Sequence, residues 1–158
     1  MNCKVLFVLI FILVIVGTVW AFVKPQQSYE SEVFSPNGVA IHGYDPVSFI
    51  DDSVKIKGIP ALNYKWLGVD WYFSSETNLV KFKQSPEKYI PAYGGYCAFG
   101  VSRGYKASTE IDTWTLHEGK LYFNYNQRVK NSWMKGQQQY IQQADKNWLG
   151  IKNKNTKS

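Results

Sequence analysis

Downstream of an apolar N-terminal run the chain holds one cysteine, Cys97, set in PEKYIPAYGGYCAFG (86–100), and two imidazoles, His42 and His117. A thiolate joined by one or two imidazoles is a donor set for copper or zinc, and the metal itself favours the thiolate form. Cys97 and His42 are therefore the candidate metal ligands. No two of these residues stand at a short ligand spacing, so only the fold could bring them together. Two other readings of Cys97 stand beside that one. Flanked by aromatics and Ala98, it suits a small buried hydrophobe; as the one thiol of an exported domain, which cannot close an internal disulfide, it suits a redox or partner-linked group. His42, just before Gly-Tyr-Asp-Pro, suits a turn-stabilising hydrogen bond as well as a ligand, and His117, beside Glu118-Gly119, reads as solvent-facing.

Tyr44, Asp45, Tyr93 and Tyr96 are the polar groups nearest these residues in the sequence. Asp45 before Pro46 is a turn former whose carboxylate can accept backbone N–H groups. Gly94-Gly95 supplies freedom for a sharp bend, and no Lys-Ser/Thr follows to make it a phosphate loop. Gly-x-Ser-x-Gly and His-Glu-x-x-His are absent, so hydrolase chemistry lacks its nucleophile or metal scaffold. No catalytic residue is assigned, and the chain reads as non-enzymatic.

The elements that must position these residues follow from periodicity. VAIHGYDPVSFI is rich in β-branched and aromatic residues around a turn and predicts two short strands, or a strand and a bend. NYKWLGVDWYFSS predicts a hairpin, with Tyr64 and Trp66 answered by Trp71 and Phe73. Ser74 or Ser75 then caps a helix that carries Glu76 in its first turn and stops before Pro86. TWTLHEGKLYFNY predicts a second hairpin about Glu118-Gly119. Asn126 opens a long helix with Val129, Trp133, Tyr140, Ile141, Ala144 and Trp148 on one face, weakened at Gly136 by about 1 kcal/mol relative to alanine. The fold class is α+β: a small, mostly antiparallel sheet of hairpins, one short helix, and a long C-terminal helix packed on it.

The 158 residues suffice for one domain with a core of its own. Residues 128–158 carry seven Lys/Arg against Asp145 alone, which leaves eleven bases and eleven acids before them, so the tail holds all of the net charge of +6. Its end, NKNTKS, lacks interleaved aromatics on which bases could stack, and nucleic acid is not expected as a partner. Residues 5–23 are uncharged and apolar, preceded by Lys4. Residues 1–23 read as a signal peptide or N-terminal membrane anchor that places the domain outside the cytoplasm, periplasmic or secreted, with the membrane as a partner if the segment is uncleaved. Residues 24–38 read as a linker and 151–158 as a basic flexible tail.

GYDPVSF (43–49), YKWLGVDWYFSSETNLVKFKQSPEKYIP (64–91), YGGYCAFGVSRG (93–104), LYFNYN (121–126) and ADKNW (144–148) resemble, in this order, the YHS domain family, in particular its exported members with a C-terminal extension. The resemblance makes residues 39–150 a YHS-like domain. It implies a metal-binding or metal-handling module, with the metal-associated branch placing one Cys after Asp-Pro-Val and two more where hairpin meets helix. Here those places hold Ser48, Ser74 and Asn78, whose neutral donors cannot replace thiolates for a soft ion. Any metal would fall to Cys97 and His42. The alternative is a domain that binds a protein or small ligand, with Cys97 as a structural core residue.

Overall fold

The computed structural model describes residues 31–152. The expected export segment, the first residues of the linker and the end of the basic tail lie outside the described residues. Among the described residues no helix is long and apolar enough to cross a membrane.

The architecture is α+β, as expected, with six α-helices and two antiparallel hairpins among the described residues. In chain order these are α1 (Pro46–Asp51), β1 (Ile59–Trp66), β2 (Val69–Phe73), α2 (Glu76–Gln84), α3 (Pro86–Tyr89), α4 (Ala98–Ser102), β3 (Thr115–His117), β4 (Lys120–Tyr122), α5 (Gln127–Met134) and α6 (Gln137–Ile151).

Both hairpins form where alternation placed them. In the first, Tyr64 faces Trp71 and Trp66 faces Val69. Its turn, Leu67-Gly68, has positive φ at both positions, the conformation whose twist matches the flanking strands. In the second, Leu116 faces Leu121 about Glu118-Gly119. The two hairpins do not share a sheet, and β4 divides the interior instead. Leu121 and Phe123 enter a core with Trp71, Phe73 and Phe82, while Tyr122, one residue out of phase, enters a second core with Tyr93, Trp133 and Ala144.

Three expectations are corrected. Residues 46–51 form helix α1 in place of a strand, because Asp45 caps it: its carboxylate accepts from the Val47 and Ser48 N–H groups, and Pro46 at the first helical position has no N–H to lose. The long helix is two: at Gly136 the backbone turns to φ −145°, ψ 36°, outside helical space, so α5 ends and α6 begins. The packed body starts earlier than residue 39. Val33 is buried, the Phe34 N–H donates to Gly94 O at 2.9 Å, and a Cβ on Gly94 would lie 1.9 Å from Glu32 O. Gly94, at φ +61°, is thus a close approach that only glycine allows.

Asp51 pins three helices. The Lys81 and Lys88 ammonium groups each lie 2.9 Å from its carboxylate, tying α1 to α2 and α3. The hydrogen bonds from Lys88 and then Lys81 hold its pKa below the ordinary 3.8. A depressed carboxylate adds stability above its unfolded pKa and loses it as pH falls through the folded value. Urea titrations of Asp51→Asn should therefore differ most from the parent near about pH 7 and converge with it by about pH 2–3, the difference staying small because the site is partly solvated. An equal difference at both ends would refute the pairing.

Candidate functional site

Cys97 is buried at the start of α4, and its sulfur is surrounded by backbone. The Gly100 and Tyr125 N–H groups donate to Sγ at 3.4 and 3.3 Å, and Sγ lies 3.7 Å from Asn124 Oδ1. Burial raises the thiol pKa above its usual range, outweighing the lowering by those N–H groups. The protonated thiol is thus the neutral-pH form, capping a short helix and donating toward Asn124.

His42 is engaged elsewhere. Ile41, His42 and Gly43 all have positive φ, a costly conformation for a β-branched residue. The turn is held from three sides. His42 Nε2 lies 2.8 Å from Thr109 O, Lys57 Nζ donates to His42 O at 2.5 Å, and the His42 ring packs edge-on against Phe34. Thr109 in turn donates its hydroxyl to Gly95 O, linking this turn to the left-handed Tyr93-Gly94-Gly95. The polar contacts of Cys97 and His42 therefore share no residue. Among the described residues, no group of three His, Cys, Asp or Glu side chains could hold a metal ion. His117 is half-buried against Tyr122, not solvent-facing.

The places that hold Ser48, Ser74 and Asn78 do converge, on Asp45. This carboxylate is fully buried, at 0% exposure. One oxygen takes the two α1 N–H groups; the other takes the Ser74 N–H at 2.8 Å, the Ser74 hydroxyl at 2.6 Å and the Asn78 amide at 2.7 Å. Ser48 Oγ returns a bond to Asp45 O. Ser75, not Ser74, caps α2. A charge that far from water is held by this full set of donors.

A surface hollow of about 300 Å³ lies between the tip of the first hairpin, the left-handed turn at Tyr93 and helix α6. Trp66, Tyr93 and Trp148 line it, with Glu32 and Glu87. The sequence reading places Trp66 and Trp148 only as packing positions and misses that two elements far apart in the chain present them to one space.

Compared with known proteins, the chain matches no family model, no curated protein and no solved structure.

Proposed function

We propose that the chain is a non-enzymatic, YHS-type module, carried outside the cytoplasm, that binds a small ligand at its surface and uses Cys97 as a structural core residue. The carrying observation is the occupation of the sulfur. A metal-bound thiolate needs a vacant lone pair facing its ion. This sulfur spends its acceptor capacity on two backbone N–H groups that hold the start of α4 and residue 125 in place. The resemblance is supported by the meeting of Ser48 from α1, Ser74 from the β2–α2 connection and Asn78 from α2 about Asp45, as a shared site would require. In this chain the shared site is a carboxylate network with no soft donor.

The metal-handling reading asks Cys97 and His42 to share an ion, and one experiment separates the two. In a Cys3→Ser background, the reduced native protein should take up no stoichiometric copper(I) or zinc, and iodoacetamide should label Cys97 only as fast as unfolding exposes it. Cys97→Ser should lower stability by about 1–3 kcal/mol, since the shorter C–O bond draws its acceptor back from two buried donors. Uptake near one equivalent, abolished by Cys97→Ser and by His42→Ala, would replace this reading with the metal one.

A further inference from the structure

We propose that the hollow between Trp66, Tyr93 and Trp148 binds a small organic ammonium ion, which names the ligand class for the module proposed above and rests on that reading. Three of its lining residues are aromatic. The Tyr93 and Trp148 rings meet edge-on, at 64° with centroids 5.9 Å apart, and Trp66 from the hairpin tip lines the same space. Aromatic rings set at angles about one point attract a cation within about 6 Å of each centroid. Val33, Ile90 and Pro91 complete an apolar lining that would receive N-methyl or methylene groups.

The charges select the sign. Both ionisable side chains of the lining other than Tyr93 are carboxylates, Glu32 and Glu87, and no lysine, arginine or histidine lines the hollow. Glu32 is shared with Lys152 at 3.5 Å. Glu87 is exposed and, among the described residues, has no hydrogen-bond or ion-pair partner. Two further bases nearby do not line the hollow. Lys88 is held by Asp51 and pushed up to about 12, and Lys106, 5.9 Å from the Trp148 ring, lines a different hollow beside Tyr96 and Ser108. An anion would meet two acids here, and a neutral apolar molecule would leave Glu87 without a counter-charge. At about 300 Å³ the space is at the small end of ligand sites, matched to a headgroup of choline size.

Choline is the probe, with 3,3-dimethylbutan-1-ol as its neutral counterpart of the same shape. Titration of the full chain in detergent, followed by tryptophan fluorescence and calorimetry, should show saturable choline binding near the millimolar range and none for the neutral alcohol. Glu87→Gln should weaken choline binding by about three-fold, and Glu87→Lys by about ten-fold or more. Both changes lie at an exposed position that supports no other contact. Trp148→Leu should weaken binding by about ten-fold, and Trp66→Leu repeats that test on the other wall if Trp148→Leu does not fold. Equal binding of the neutral alcohol, binding unchanged by Glu87→Lys, or no saturation by about 10 mM choline would overturn the proposal, the last being beyond specific millimolar recognition. Each of these can occur with metal uptake still at zero, so this inference can fail while the reading of Cys97 stands.

Discussion

Asp45→Ala should destabilise the protein by about 3–5 kcal/mol, the loss expected when one partner is removed from a buried charged network. The side chain has no solvent exposure, and its removal strands the Val47, Ser48 and Ser74 N–H groups, the Ser74 hydroxyl and the Asn78 amide. Each unpaired buried donor costs about 1–3 kcal/mol, and relaxation toward water recovers part of that. Two elements loosen together, since the same carboxylate caps α1 and fixes the exit of β2. Asp45→Asn should recover only a fraction: its oxygen can serve one set of donors, but its NH₂ then faces the other. Urea denaturation of parent, Ala and Asn variants gives the ranking. A loss below about 1 kcal/mol for Asp45→Ala would show that the cluster is dispensable.

Trp133→Ala should cost a comparable about 3–5 kcal/mol, the range for deleting a buried large aromatic. Trp133 is fully buried in α5, and its ring lies 5.5 Å from Tyr122, the β4 residue that turns toward the second core. The vacated space is bounded by a hairpin on one side and two helices on the other, so it cannot close without moving an element. Trp133→Phe should cost less than half as much, for a reason beyond size: the indole N–H is buried with no partner among the described residues, and phenylalanine removes that orphaned donor. Denaturation midpoints measure both variants. Near-equal losses for Ala and Phe would mean that the indole N–H has a partner worth keeping.

The hairpins and the caps at Ser75 and Asn126 were legible because each rests on residues within a few positions of one another. Trp71 and Phe73 alternate, and Asn126 accepts the Val129 N–H three residues on. Gly136 was legible in sign but not in outcome. A helix glycine costs about 1 kcal/mol, yet here it ends one helix and starts another, a choice made by the packing of Trp133 and Ile141 into the same core. Helix α1 was misread because PVSFI has strand-like composition, while the deciding group, Asp45, gains its strength from Ser74 and Asn78, 29 and 33 residues away. The surroundings of the candidate ligands were hidden for the same reason. Cys97 and His42 are each completed by a partner distant in sequence, Asn124 at 27 residues and Thr109 at 67, so neither residue's fate is written beside it.

The bridge made by Lys106 bears on how the two ends of the described chain are held. Its ammonium donates to Ser31 O at 3.2 Å and to Lys152 O at 2.9 Å, and Lys152 returns to Glu32. The first and last described residues are thus stitched by a single side chain, and the polypeptide traces a nearly closed circuit. To separate residues 31 and 152, a pulling force would have to break both the Lys106 bridge and the Lys152–Glu32 pair. The connectivity could also be cut and rejoined: a short linker from residue 152 to residue 31 would preserve the existing contacts, with new termini opened at the exposed Asp52-Ser53 bend.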